Sequence, residues 1–148
     1  MIHSPTCQHA LRALIYLAEK NSPGPVLVRE IADKSRVPRQ SLAKILHALR
    51  NKGLVRSTKG PGGGYRRARR QVRALIEAVD GHVELRKACV LGLDQCTDLA
   101  PCALHDVWKV FRENYYSTVS SMSLSDAAEA LKRKHVLREA LEPREKEE

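Results

Sequence analysis

The chain has 148 residues, of which 43% are hydrophobic but only 4% aromatic, and its formal net charge is +9. This length suits one ordinary domain with a small appendage, and the scarcity of aromatic residues favours a helical core over a β-sandwich. No stretch approaches the roughly 20 apolar residues that a membrane span requires. The first residues do not resemble a secretion signal, so we expect a cytoplasmic protein.

The charge is unevenly distributed along the chain. Residues 1–73 carry sixteen Lys and Arg against three Asp and Glu, whereas residues 74–148 carry ten against fourteen. A basic half joined to a mildly acidic half is typical of a polyanion-binding domain with a separate control region. A basic surface that serves only solubility is the alternative.

The N-terminal part predicts a helix-turn-helix. Apolar residues at helical spacing indicate one helix over 6–20 and a second over 27–34. Pro38 then suits the first turn of a third helix, which Gly53 ends. The second helix of a helix-turn-helix normally enters the major groove of DNA, although a solvated polar face has the same pattern. Its outward polar residues, which we predict to contact DNA, are Arg39, Gln40, Ser41, Lys44 and His47.

A glycine-rich hairpin follows this helix. Residues 54–57 and 65–67 predict two strands around a turn with four glycines, which we interpret as the wing of a winged helix. Glycine permits positive φ and lets backbone N–H groups approach a phosphate. A nucleotide-binding P-loop does not fit, because no Gly-Lys-Ser/Thr follows the glycines. The wing residues predicted to contact DNA are Arg56, Ser57, Lys59, Gly60, Gly62, Gly63, Tyr65 and Arg66.

A further helix over 72–80, ended by Gly81, completes a predicted DNA-binding domain over residues 1–81. Three cysteines and a histidine come next, in a predicted metal-binding loop over residues 82–105. Thiolate and imidazole suit either Zn²⁺ or an iron–sulfur centre, and spacing alone does not distinguish them. Inert or redox-active thiols are a third possibility. The candidate ligands are Cys89, Cys96, Cys102 and His105.

A long amphipathic helix is predicted from residue 104, with a last helix running to about residue 141; together they make a predicted segment over 103–142. The long helix holds the only Trp and the only Phe of the chain. A large apolar stripe suits a dimer interface, and a protein that reads palindromic operators needs a twofold axis. Packing within its own domain is the alternative. The stripe predicted to form the interface is Leu104, Val107, Trp108, Phe111, Tyr115 and Val119.

The last helix opens with Ser123 and Asp126, which have the layout of a capping box. Residues 143–148 are charged, and we expect them to form a disordered tail.

Five segments together resemble the Rrf2 family of winged-helix regulators: residues 11–18, 29–32, 49–55, 60–65 and 102–108. The resemblance covers about residues 5–130 of the chain. It implies a homodimer joined by the long helix, and an iron–sulfur cluster bound by Cys89, Cys96 and Cys102.

The fourth cluster ligand varies in that family. In members with a 2Fe–2S cluster a histidine corresponds to His105, and in members with a 4Fe–4S cluster an acidic residue near the partner's N-terminus serves. Gln8 stands in that acidic position here, so the resemblance favours His105 and a 2Fe–2S cluster over 4Fe–4S. The partner's Cys7 or the partner's His9 is an alternative ligand.

The chain also departs from the family pattern. Ala43 replaces a glutamate of the recognition helix, which predicts a different operator preference, and Arg67 replaces a commonly apolar wing residue.

These features predict a homodimeric regulator that binds palindromic double-stranded DNA under the control of an iron–sulfur cluster. The cluster would report redox state, nitric oxide or iron status. A winged-helix repressor with structural zinc or a thiol switch is the alternative, and a cluster carrier that does not bind DNA is less favoured. No catalytic triad or carboxylate pair is present in the sequence, so we do not expect an enzyme.

Overall fold

The structure is a computed structural model that describes residues 2–68, 71–81, 89–93 and 96–141. Within these ranges the chain forms helices connected by short turns, with one antiparallel hairpin in the middle. The elements are α1 (Pro5–Lys20), α2 (Val28–Ser35), α3 (Arg39–Asn51), β1 (Val55–Thr58), β2 (Gly64–Arg67), α4 (Val72–Asp80), α5 (His105–Ser121) and α6 (Leu124–Leu141).

Helix α1 is the central element of the core. The Ser4 hydroxyl caps its start by accepting a hydrogen bond from the Cys7 N–H at 3.0 Å, and Pro5 occupies the first turn. The helix ends at Asn21, whose φ of 43° is left-handed. Its buried side is lined by small and aliphatic residues and contacts α2, α3, α4 and α6. The helix-turn-helix and the C-terminal half of the chain therefore pack on the same helix.

Helices α2 and α3 form the predicted helix-turn-helix. Arg36 adopts a left-handed φ of 54°, and the Val37 N–H donates to the Ala32 carbonyl at 3.0 Å, which makes the turn tight. Pro38 lies at the N-cap of α3, one residue before the first turn where the sequence places it. The apolar face of α3 is buried and the opposite, polar face is exposed. The buried residues are Leu42, Ile45, Leu46 and Leu49.

Strand β2 of the hairpin is paired along both of its edges. Strands β1 and β2 pair antiparallel with Arg56 opposite Arg66. Val26 pairs with the outer edge of β2 through two backbone hydrogen bonds to Tyr65, at 2.8 and 2.9 Å. The sequence does not predict this third segment of the sheet, because a single extended residue between a turn and a helix has no periodicity.

Helices α4, α5 and α6 complete the fold. The Val72 N–H donates to the Met122 carbonyl at 3.0 Å, which joins the start of α4 to the end of α5. The capping box is confirmed: the Ser123 N–H donates to the Asp126 carboxylate at 2.9 Å, and the Asp126 N–H donates to the Ser123 hydroxyl at 3.1 Å. None of the helices in the described part of the chain has the length and hydropathy needed to span a lipid bilayer.

The predicted fold class is confirmed, since a mainly helical chain carries a winged helix-turn-helix and a long later helix. One core joins the two halves: Tyr116, Val119 and Leu124 belong to the same buried cluster as the winged-helix residues. Part of the predicted loop (82–88, 94 and 95) and the predicted tail (143–148) lie outside the described residues.

Candidate metal centre and DNA-binding surface

Three cysteine sulfurs meet at the start of α5. Cys102 Sγ lies 3.5 Å from Cys89 Sγ and 3.5 Å from Cys96 Sγ, and all three sulfurs lie within 4.8 Å of one another. Cys89 and Cys96 are buried and Cys102 is partly exposed. Three thiols so close, with no disulfide among them, are a ligand set for a thiophilic metal.

His105 completes this group of donors. It is 4% exposed, and its Nδ1 lies 3.0 Å from Cys96 Sγ. Its Nε2 lies 2.9 Å from the carboxylate of Asp98, which also accepts hydrogen bonds from Lys109 Nζ at 2.9 and 3.0 Å. When the ring is neutral and Nε2–H donates to Asp98, the lone pair is on Nδ1 and faces the sulfurs. Histidines that bind metals are usually oriented in this way by a carboxylate. When the ring is protonated, Nδ1–H instead donates to the Cys96 sulfur.

Hydrogen bonds at this centre favour the charged forms of Cys96, His105 and Asp98. The hydrogen bond from His105 lowers the pKa of the Cys96 thiol to about 7. The hydrogen bonds to Cys96 and then Asp98 raise the pKa of His105. Hydrogen bonds from Lys109 and then His105 keep the pKa of Asp98 below its ordinary value. The metal-free site therefore favours a thiolate, which is the form of cysteine that binds metal.

Local turns bring the ligands together. Gly92 has a φ of 73° and donates its N–H to the Cys89 carbonyl at 3.1 Å, which turns the chain back just after the first cysteine. The His105 N–H donates to the Cys102 carbonyl at 3.0 Å, so the last two ligands lie in the turn that begins α5. A cavity of about 620 Å³ lies beside Cys96 and His105, which both line it.

The polar face of α3 is exposed as the sequence predicts. Arg39, Gln40, Lys44 and His47 are exposed and Ser41 is half-buried. Arg39 donates to the carboxylate of Asp33 at 3.2 Å, so part of its guanidinium is already bound within the chain. The remaining N–H groups of a five-donor guanidinium are still free for DNA.

The wing residues divide into two groups. Arg56, Ser57, Lys59, Gly60 and Gly62 are exposed. Arg66 is exposed as well, whereas Gly63 is buried and Tyr65 is half-buried, and all three also have contacts within the chain.

The Gly63 N–H donates to the Gly60 carbonyl at 2.9 Å inside the turn, and Gly63 itself is buried. Tyr65 pairs with Val26 through its backbone, and Arg66 donates to the Pro23 carbonyl at 2.9 Å. Gly63 therefore contributes to the shape of the wing. To contact a phosphate as predicted, its N–H would have to give up the hydrogen bond to the Gly60 carbonyl.

The predicted dimer stripe on α5 is only partly exposed. Leu104, Val107 and Phe111 are 46%, 75% and 41% exposed, and Trp108 and Tyr115 are half-buried. Val119 is 6% exposed and packs in the core of its own chain. A continuous apolar surface on this helix therefore ends before Val119.

Cys7 is also enclosed within its own chain. Its side chain has no exposed surface, and it contacts neither the three-cysteine centre nor solvent. This placement gives no support to the alternative in which the partner's Cys7 completes the cluster.

A family model for Rrf2, described as an iron-dependent transcriptional regulator, matches residues 4–130 of the chain. The chain belongs to the Rrf2 family. An HTH-type transcriptional regulator of Aquifex aeolicus is 34% identical over 131 residues, which cover 85% of this chain and 90% of the relative. The regulator IscR of Xenorhabdus nematophila is 31% identical over 123 residues, which cover 80% and 74% of the two chains.

Solved structures of Rrf2 regulators have the same fold. CymR, the global cysteine regulator of B. subtilis, has a TM-score of 0.70 at 24% identity, and the match covers 86% of this chain and 95% of CymR. IscR of T. potens has a TM-score of 0.62 at 23% identity, with 98% and 92% covered. This Rrf2 chain is therefore an HTH-type transcriptional regulator with the winged-helix fold.

The sequence does not reveal the residues that orient His105. Asp98 precedes the histidine by seven residues and Lys109 follows it by four, so only Lys109 lies at a spacing that a helix brings close. The Asp98 contact depends on the turn between Thr97 and Ala100, which pair through their backbones. No sequence motif specifies that turn.

Proposed function

We propose that this chain is a homodimeric transcription regulator whose DNA binding is controlled by an iron–sulfur cluster held by Cys89, Cys96, Cys102 and His105. The observation that carries the proposal is the convergence of three sulfurs with a histidine nitrogen that Asp98 directs toward them. The relatives named IscR support iron–sulfur chemistry. A 2Fe–2S cluster accepts this ligand set, because histidine as well as cysteine can ligate its irons.

The residues of the chain supply a physical route from the ligands to DNA. Cys102 and His105 fix the first turn of α5, and Tyr116 and Val119 pack the same helix into the core around α1. Helix α1 in turn contacts α2 and α3. A bound cluster supplies a centre that responds to oxidants, nitric oxide and iron supply. Because Cys102 and His105 lie at the first turn of α5, a cluster that they held would tie this turn to the loop that carries Cys89 and Cys96.

In a dimer, a change at the first turn of α5 would alter how the two recognition helices fit an operator. The exposed apolar residues Leu104, Val107 and Phe111 begin directly at the metal centre. If two copies meet on this face, the position of the first turn of α5 sets the angle between the two recognition helices. Coupling of this kind is typically about 1–3 kcal/mol, or 5- to 150-fold in affinity.

The test is to purify the chain without oxygen and to measure iron, sulfide and visible absorption. We expect iron and sulfide in equal amounts and coloured protein. The Cys96→Ser variant should lose the iron, the sulfide and the colour. The Leu99→Ala variant changes a loop residue that is 98% exposed, and it should retain all three. Colourless wild-type protein without iron would reject the proposal.

DNA binding is then measured by fluorescence anisotropy with duplexes selected from a random pool, separately for cluster-loaded and cluster-free protein. We expect a difference in affinity of about 5- to 150-fold between the two forms. Equal affinities on every selected duplex would show that the cluster does not control binding.

A structural zinc site is the second candidate, and one observation favours it. Separations of 3.5 Å between sulfurs are close to the roughly 3.8 Å edge of a tetrahedral zinc–thiolate site. A binuclear cluster distributes its ligands over two irons and so spreads them further apart. One equivalent of zinc that Cys96→Ser removes, with no iron or sulfide, would establish this candidate.

A further inference from the structure

A second group of donor atoms lies away from the three-cysteine centre, where α1, α4 and α5 meet. His3, Cys7 and Asp80 each direct a donor atom to a common point, and the three atoms lie within 4.8 Å of one another. Cys7 is fully buried, and the side chains of His3 and Asp80 are 13% and 17% exposed.

The separation of His3 Nδ1 from Asp80 suits two ligands of one metal ion better than a hydrogen bond. His3 Nδ1 is buried, lies 3.4 Å from Asp80 Oδ2, and has no hydrogen bond of good geometry to any described residue. An N–H···O bond is usually about 2.9 Å long. Two ligands of one tetrahedral zinc ion, each about 2.1 Å from the metal, are instead about 3.4 Å apart.

The other nitrogen of the ring is already fixed. His3 Nε2 is hydrogen-bonded to the Tyr115 hydroxyl of α5. When Nε2–H donates to that oxygen, Nδ1 carries the lone pair and faces Cys7 and Asp80. The Ser4 N–H and hydroxyl both donate to Asp80, which fixes the carboxylate in turn. Such second contacts to the ligands are typical of metal sites.

We propose that His3, Cys7 and Asp80 form a second metal site, for Zn²⁺, at the junction of α1, α4 and α5. One nitrogen, one sulfur and one oxygen are a ligand set that zinc accepts, and the exposed edges of His3 and Asp80 leave room for water as the fourth ligand. Burial, and then Asp80, raise the pKa of the Cys7 thiol to about 12, so the ion would have to displace the thiol proton. The resulting thiolate and the carboxylate would together balance the charge of the ion. The site would fasten the first turn of α1 to the last turn of α4.

The experiment uses the full chain, free of tags, with Cys89, Cys96 and Cys102 changed to Ser, so that Cys7 is its only thiol. The protein is made metal-free with a chelator and titrated with Co²⁺ and then Zn²⁺. We expect one equivalent of Co²⁺ with a sulfur-to-cobalt charge-transfer band, and its displacement by Zn²⁺. A titration without that band would overturn the proposal, whatever the state of the first centre.

His3→Gln in the same background tests the ligand set. His9→Gln is its control, because His9 lies on α1 two residues after Cys7 but is not one of the three proposed ligands. Contacts to the ligands alone are worth about 10- to 100-fold in metal affinity, so loss of His3 should weaken zinc binding at least about tenfold. Tyr115→Phe should weaken it less. Equal zinc affinities for His3→Gln and His9→Gln would also refute the site.

Folding is monitored in the same samples. Zinc bound only to the folded chain should raise the thermal midpoint of the triple-serine protein and leave that of its His3→Gln derivative unchanged. An equal rise in both proteins would show that the metal binds elsewhere.

Discussion

At the scale of single residues, each of the two ring nitrogens of His105 makes a different contact. Nδ1 lies 3.0 Å from Cys96 Sγ, and Nε2 is held 2.9 Å from Asp98. Lys109 holds Asp98 in place from the next turn of α5. A surface carboxylate, itself 71% exposed, thus determines which nitrogen of a buried histidine faces the sulfurs.

Asp98→Asn should therefore weaken metal retention without removing a ligand. The amide cannot replace the charge that stabilises the His105 ring, and changes of this kind typically cost about 10- to 100-fold in metal affinity. The measurement is the rate at which a chelator bleaches the visible absorption of the loaded protein. Asp106→Asn, a change of an exposed carboxylate in the first turn of the same helix, serves as the control. Equal bleaching rates for the two variants would contradict the role of Asp98.

Gly64 is a second position where one residue decides local structure. A Cβ at Gly64 would lie 2.2 Å from the Val26 carbonyl oxygen, and the φ of Gly64 is +152°. The strand β2 can approach the Val26 segment only because no side chain intervenes. The sequence suggests that the glycines of this turn let the backbone approach a phosphate. At Gly64 glycine is instead required because the backbone of Val26 lies so close.

Gly64→Ala should lower the free energy of unfolding by about 2–4 kcal/mol, because backbone on both sides must shift. Gly24→Ala is the matched control, since a Cβ there has no atom within 4 Å. Urea denaturation followed by circular dichroism measures both. A Gly64→Ala protein as stable as Gly24→Ala would show that the packing of β2 against Val26 tolerates a side chain at this position.

At the scale of secondary-structure elements, α1 and α2 are linked by a polar cluster on the surface. The Tyr16 hydroxyl donates to Glu30 at 2.6 Å, and Lys20 forms an ion pair with the same carboxylate. The pKa of Glu30 lies below its ordinary 4.5, first because of the hydrogen bond from Lys20 and then because of Tyr16. Since the pKa of Glu30 is lowered by folding, the charged carboxylate favours the folded state.

Glu30→Gln should destabilise the chain at neutral pH and have progressively less effect in acid. A carboxyl whose folded-state pKa is depressed contributes its stability above the unfolded pKa of 4.5, and this contribution is lost as pH falls through the folded value. The effect is small because the pair is about one-third exposed. Urea midpoints as a function of pH measure it, with Glu129→Gln on the exposed side of α6 as control. A pH-independent difference would assign the effect to packing.

Helix α5 carries the predicted dimer surface on its exposed side. Val107→Asp should shift the chain toward the monomer, because it places a charge in an apolar surface that a second copy would bury. Analytical ultracentrifugation measures the dissociation constant. Ser117→Asp adds the same charge on a different side of α5 and should leave the dimer intact. Monomeric wild-type protein, or dimers unaffected by Val107→Asp, would move the interface elsewhere.

The elements themselves were largely predictable from the sequence, since they depend on local patterns. Helix α4 has the predicted bounds, and the Ser123–Asp126 capping box forms as its spacing indicates. The contacts made between distant segments were not predictable, because no periodicity encodes them. Pairing of Val26 with Tyr65, orientation of His105 by Asp98, and burial of Val119 all depend on tertiary packing.

At the scale of the whole molecule, the positive charge is concentrated on one part of the fold. The basic half of the sequence forms the helix-turn-helix and the wing, and the exposed faces of both carry cations. Arg67 of the wing donates to the Ser125 hydroxyl of α6 at 3.2 Å, so the departure from an apolar residue there gives a contact between the two halves. The basic surface is thus fixed to the helices that follow the metal centre.

Lys59→Ala should weaken binding to every DNA sequence and reduce the slope of log affinity against log salt by about one, if the exposed Lys59 contacts a phosphate. Gln40→Ala should instead relax the preference at particular base pairs. Anisotropy titrations over a salt series, on selected and on scrambled duplexes, separate the two effects. A salt slope unchanged by Lys59→Ala would remove it from the phosphate contacts.

The start of α5 at His105 gives the molecule its own reporter. His105, which we propose as a metal ligand, also donates its N–H to the Cys102 carbonyl at the start of the helix, and the Trp108 N–H donates to the Leu104 carbonyl at 3.0 Å across the first turn. Backbone protons of this turn should therefore exchange with deuterated solvent at a rate set by occupancy. Mass spectrometry of the peptide around Trp108 would then follow the state of the sensor inside a mixture, with neither colour nor DNA to observe.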